Sequence, residues 1–327
     1  MKILSWPVCG MVLAASGLLY GQQGSLTGPL AGFVFDGAGR VLRPVQGVPG
    51  ASLLGDPVSF GFDLAAVYVS PHQDTAFVVG ADQSLHLFRL NAGAPTELSL
   101  GGIAGAPQQV VFSQSGTAAA LLTAGTAQVL TGLPNAPTLA GAIAVPMAAQ
   151  APARSRTAAA PAQSWALSDD GTYLLTVFGG SARLLSIQGQ NRSLLPAQAG
   201  ALVAFAAGGY DAAVMDSVTG LTLVRDAAGT AGTQVLATPD DGLAGPAGLA
   251  FSQDGKTLYV ASATAQSVAV FNLAAGSRTA IGCACTPATL VPMGNVFRLT
   301  ERTGAPLWLL DSGASTPRTV FVPARGE

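Results

Sequence analysis

The stretch LAFSQDGKTLYVASATAQSVAVFNLAAG, from Leu249 to Gly276, decides the fold of this chain. An apolar run ends in Ser252, an Asp254-Gly255 pair follows, and two more short apolar runs come after it. Short apolar runs punctuated by turn residues are strands joined by hairpins. WALSDDGTYLLTVFGGSARLLSIQG, from Trp165 to Gly189, matches it nearly position for position. Looser copies begin at Val67, Val110 and Leu202, and one beginning at Thr289 keeps the rhythm without the Ser. With Ser70, Ser113, Ser168, Ala206, Ser252 and Pro292 as equivalent points, the mean step is about 44 residues, the length of a four-stranded propeller blade.

The expected fold is therefore all-β, a β-propeller. Within the clearest unit the strands are expected at Gly248 to Ser252, Thr257 to Ala261, Ser267 to Asn272 and Arg278 to Cys283. Asp254-Gly255, Asp170-Gly171 and Ser115-Gly116 are read as type I′ turns between first and second strands. ALVAFAAGG, TAAALLTAG and AGLAFS have the small residues that let inner strands converge on an axis, and Phe112, Phe205 and Phe251 are expected between blades. Residues 30–55 supply two or three strands but no obvious inner one, and TPRTVFVPA, from Thr316 to Ala324, is a strand without a blade. If that last strand completes the first blade, the N- and C-terminal segments share a sheet, lock the ring and make seven blades, with six or eight as alternatives. No blade can bury both faces alone, so the ring must close.

The 327 residues suit one such ring. Residues 1–21, MKILSWPVCGMVLAASGLLYG, carry Lys2, an apolar middle from Val8 to Tyr20 and small residues near Gly17 and Gly21. That is the pattern of a cleaved secretory signal peptide, the alternative being an uncleaved N-terminal anchor. Residues 22–327 then form a single domain in the periplasm or outside the cell, expected as a monomer with no membrane span. Mean hydropathy is high at +0.45, but it comes from Ala, Val and Leu in short runs broken by Gly, Pro, Ser and Thr. The net charge is −2 and the lysines are Lys2 and Lys256, so nucleic acid is excluded as a partner.

Candidates for chemistry are sparse. Cys283 and Cys285 in GCACT face the same way on a strand and suit a local disulfide or free thiols, in preference to a soft metal held with Met293. His72 and His86 have no ligand-spaced neighbour and are read as solvated, so no metal and no cofactor is expected. With only Glu97, Glu301 and Glu327 present, a glutamate acid/base pair is hard to build. Ser113, Ser168 and Ser252 recur because a hydroxyl can bond the backbone at a strand end, and no activated-serine motif is present.

The Leu249 phrase resembles the repeat of exported bacterial YVTN and WD40-like propellers, a superfamily that includes lactonase-type seven-bladed proteins. The resemblance implies ionisable residues around a central channel in its enzymatic members, and none can be mapped here. In propellers the connections from second to third strands, and from one blade to the next, emerge on the face that usually binds ligands. On that face the sequence places Arg154 and Arg156 in the long loop 147–163, Asp240 and Asp241, Asp82, Asp216 and Arg302. The expected function is a non-catalytic module binding a protein, glycan or envelope component through these residues. The alternative is a lactonase-like hydrolase or cofactor-using oxidoreductase.

Overall fold

The repeated phrase folds as seven antiparallel sheets in a computed structural model, which describes residues 28–90, 94–103, 105–146, 165–301 and 306–323. The loop 147–163, the leader 1–21, Arg154, Arg156 and Arg302 lie outside the described residues. Numbered in chain order, sheets 2 to 7 occupy residues 64–98, 109–144, 165–196, 202–237, 246–282 and 291–322, each with four strands in sequence order. In sheet 6 the strands are Pro246–Phe251, Thr257–Ser262, Ser267–Asn272 and Ser277–Gly282, within two residues of the expected bounds. Among the described residues the helical structure beyond the strands is one turn of 3-10 helix, Pro239–Asp241, and no described helix is long and apolar enough to cross a membrane.

What closes the ring is visible in the core. Seven apolar clusters fill it, and each is shared by two neighbouring sheets: 1 with 2, 2 with 3, and so on to 7 with 1. Phe251, fully buried, and Phe205, at 3% exposure, stand in two of these interfaces, and Phe112 packs against a third. Burial between sheets is the main favourable term, and no sheet has it alone.

Sheet 1 departs from the expected pattern. Among the described residues it has three strands, Leu30–Asp36, Val41–Val48 and Ala51–Leu54. A Cβ on Gly32, near the start of the first, would meet Met293 and Gln73, at the turn ends of the first strands of sheets 7 and 2. So Leu30–Asp36 starts where the other first strands finish, and sheet 1 runs as second, third and fourth strands do elsewhere. The C-terminal strand Arg318–Val322 does not fill the gap; it is the outer strand of sheet 7, paired with Leu307–Asp311. Closure comes instead from face packing, with Val34, Val45 and Leu54 of sheet 1 against Leu307, Leu309, Val320 and Val322 of sheet 7. A second correction concerns TAAALLTAG, whose Ala118–Thr123 is the second strand of sheet 3, Gln109–Phe112 being the first.

The recurring Ser turns have a different geometry from the type I′ form. Gly116, Gly171 and Gly255 have φ near +70°, at 69°, 72° and 68°, while Ser115, Asp170 and Asp254 stay out of the positive-φ region. Each Gly N–H donates back to the Ser carbonyl at 2.9 to 3.0 Å, which makes a type I turn closed by a left-handed Gly in a four-residue loop. The Ser hydroxyl links both ends. Ser168 donates to Asp170 at 2.6 Å and accepts from Tyr173 N at 2.9 Å, and Ser252 does the same with Asp254 and Thr257 N at 2.6 and 3.0 Å.

Candidate functional site

Two faces of the ring have different chemistry. On the first-to-second-strand face, the residues after Ser113, Ser168 and Ser252 reach other sheets. Asp169 accepts from Ser115 N of sheet 3 at 2.8 Å and from Gly208 N of sheet 5 at 2.7 Å, so one carboxylate ties three sheets. Gln114 donates to the carbonyl of Phe251 in sheet 6 at 3.0 Å, and Gln253 donates to Gly294 of sheet 7 at 3.0 Å. Gln73 accepts from Phe33 N of sheet 1 at 2.7 Å. Tyr210 donates to Asp170 at 2.8 Å, and that bond to a carboxylate pushes the phenol up to about 12. This face is a structural clasp. Asp169→Ala is expected to cost about 2 kcal/mol, as two charge-assisted bonds are lost, against under about 0.5 for the exposed Asp240→Ala; urea unfolding of both variants checks it.

A hollow of about 730 Å³ also opens on this face, at the seam of sheets 7 and 1. Its polar rim, Asp311 and Arg318, is already an ion pair at 3.5 Å.

On the opposite face the sequence-derived residues divide. Asp216, at 1% exposure, accepts from Gln198 N at 2.5 Å and Val218 N at 2.7 Å, so both its oxygens serve the backbone. Asp241 accepts from the amide and hydroxyl of Thr238 at 2.7 and 2.9 Å, which hold its carboxyl below the usual range, and pairs with Arg278 at 3.8 Å. Asp240 beside it is exposed. Cys283 and Cys285 are joined as a disulfide, buried between sheets 6 and 7.

Asp82 is different, because the fold brings other groups to it. Its Oδ1 accepts from Ser84 N at 3.0 Å and from Ser84 Oγ at 2.6 Å. Ser84 Oγ also lies 2.8 Å from His86 Nε2, and His86 Nδ1 lies 2.7 Å from Glu97 Oε1. The two bonds from Ser84, ahead of the charge on His86, hold the Asp82 carboxyl below its ordinary value. Gly80 makes room for this row, since a Cβ there would sit 2.5 Å from Asp82 Oδ1 and 2.7 Å from Ser84 Oγ. His86 is thus a half-buried, doubly bonded ring, not the solvated one that sequence spacing suggested.

An aromatic group covers it. The Phe62 ring lies 4.6 Å from the His86 ring at 31°, and Phe60 meets Phe88 edge-on at 4.9 Å. Phe60 and Phe62 belong to the connection from sheet 1 to sheet 2, where a cleft of about 550 Å³ is walled by Arg40, Ser59, Phe60, Phe62, Asp63 and Ala81. Sequence reasoning missed Ser84, His86 and Glu97 as a group. Strand register brings Glu97 opposite Phe88, diagonal to His86, and no local motif signals that.

Ser84, His86 and Glu97 stand in the order nucleophile, base and carboxylate take in hydrolases. Two observations turn the row away from attack. The hydroxyl proton is directed at Asp82, and the neighbouring amides of Gln83 and Ser84 are already given to Gly80 O and Asp82, leaving neither to hold an oxyanion.

No family model matches the chain, and no curated protein does. Solved structures do. A protein of unknown function from Desulfotomaculum acetoxidans matches with TM-score 0.54 at 13% identity, over 90% of this chain and 100% of its own. A Lactobacillus plantarum protein matches with TM-score 0.54 at 16% identity, over 90% and 98%. A Bacteroides fragilis protein provisionally assigned as a 6-phosphogluconolactonase matches with TM-score 0.53 at 17% identity, over 90% and 97%. At such identities the likeness shows the fold, a seven-bladed β-propeller, and nothing of activity.

Proposed function

We propose that the chain is an exported, non-catalytic propeller that captures a glycan of the cell envelope in the cleft between sheets 1 and 2. The observation that carries this reading is the cleft itself, which is lined by Phe60 and Phe62 together with Arg40, Ser59 and Asp63. Sugars need both, a flat surface for their C–H faces and paired polar groups for their hydroxyls. Its volume suits a few sugar units, whereas a protein partner needs on the order of 1,000 Å² of continuous interface. Asp240, exposed on the same face, offers a further polar contact for a longer chain. Residues 1–21 are the export signal, and the periplasm or the exterior is the site of action.

The lactonase-like alternative has less support. The first strands of sheets 2 to 7 carry one ionisable side chain, Tyr68, so the channel wall they form is poor in groups for acid, base or metal chemistry. Titration with oligosaccharides released from a bacterial envelope tests the proposal. Phe62→Ala is expected to weaken binding about tenfold, the loss of one aromatic contact of roughly 1.4 kcal/mol. Equal affinity of the variant and the wild type would remove the cleft from the account.

A further inference from the structure

The row Asp82, Ser84, His86, Glu97 has a definite proton count. The Ser84 hydroxyl owns one proton and gives it to Asp82 at 2.6 Å, so the oxygen presents a lone pair to His86 Nε2 at 2.8 Å. Glu97 Oε1, at 2.7 Å from Nδ1, accepts only. Every bond in the row is made when both ring nitrogens carry protons and both carboxylates are ionised. Loss of the Nε2 proton forces Ser84 to turn from Asp82 to the ring, and one bond is given up. The same imidazolium faces the Phe62 ring, to whose π-face a cation is attracted. Of the charged or titratable groups on the surrounding elements, Asp82 on the turn and Glu97 on the fourth strand face the ring; the second strand presents Val78. The connection presents Phe62, with Asp63 next in sequence and Arg40 on the cleft wall.

We infer that Asp82, Ser84, His86 and Glu97 form a proton-filled clamp that fixes Phe62 against His86 in acid and loosens it as the imidazole loses its second proton. Because Phe62 walls the cleft, ligand capture is strongest in acidic surroundings; this last step rests on the glycan reading, while the clamp does not. The direction follows from the count: every bond in the row is made only with both ring nitrogens protonated, so acid favours the clamp and base loosens it.

The test uses no ligand. In the full chain carrying Phe62→Trp, the emission at position 62 is followed from about pH 5 to about pH 8, with the unsubstituted protein subtracted. Acidification is expected to quench it about twofold as the imidazolium draws against the indole. The response should vanish when His86→Phe is added, which keeps a ring in place, and shrink with Gly80→Ala, which displaces Asp82 and Ser84 without removing a titratable group. Circular dichroism verifies folding in each variant. A flat response in folded Phe62→Trp, or the same response with His86→Phe, overturns the clamp. An unchanged response with Gly80→Ala overturns the part assigned to Asp82 and Ser84. Failure of any sugar to bind at the cleft sinks the glycan reading alone.

Discussion

Phe251→Ala is expected to destabilise the protein by about 4 kcal/mol, the cost of deleting a fully enclosed ring whose cavity cannot collapse. Phe251 has no exposed surface and stands between Leu202, Met215 and Leu221 of sheet 5 and Leu258 and Phe271 of its own sheet. Each sheet depends on two neighbours, so the loss is shared around the ring instead of melting one blade. A single cooperative urea transition moved to lower midpoint is the expected result. A loss below about 1 kcal/mol would mean that the interface packs some other way.

The second large effect is steric. A Cβ on Gly248 would lie 2.3 Å from Leu290 Cβ and 2.4 Å from its backbone nitrogen, where the chain enters sheet 7 against the first strand of sheet 6. Neither element can step aside without parting the two sheets, so Gly248→Ala is expected to cost about 3 kcal/mol or more. Gly232 provides the contrast. It sits on the outer strand of sheet 5 with nothing within 4 Å of a Cβ, and Gly232→Ala should be neutral or stabilising by up to about 1 kcal/mol. Thermal melts of the pair give the comparison directly, and similar melting temperatures would contradict the close approach at Gly248.

The fold was legible because its repeat is local. Ser252, Asp254 and Gly255 fix a hairpin within a few residues, and the same hydroxyl and carboxylate do the same work at Ser168 and Asp170. The type I′ assignment failed because Asp-Gly permits two turn geometries, and the Ser hydroxyl, by bonding the amide five residues on, selects the wider loop. Sheet 1 was legible as strands but not as a ring closure. The C-terminal strand's place depends on Val320 and Val322 burying against sheet 1 faces, a long-range packing choice that strand pattern does not encode.

The candidate site was legible only in outline. Asp82 stood out by its place in a turn, but its partners come from the pleat that puts Ser84 and His86 on one side and from the register that brings Glu97 across. The buried Asp216 shows the reverse: a charged residue at a strand end that serves its own backbone. Asp169 and Gln114 show a third case, where the position after Ser113, Ser168 and Ser252 varies in type but keeps a side chain long enough to reach another sheet.

The proposed glycan site lies between sheets 1 and 2, on the face opposite the Ser turns. Amide chemical-shift mapping of the isotope-labelled protein during titration with envelope oligosaccharides addresses it most directly. Perturbations are expected at Arg40, at Ser59 to Asp63 and at Ala81 to His86. Perturbations confined to the Ser-turn face around Gln114, Asp169 and Gln253, or to the Asp240 turn alone, would contradict it.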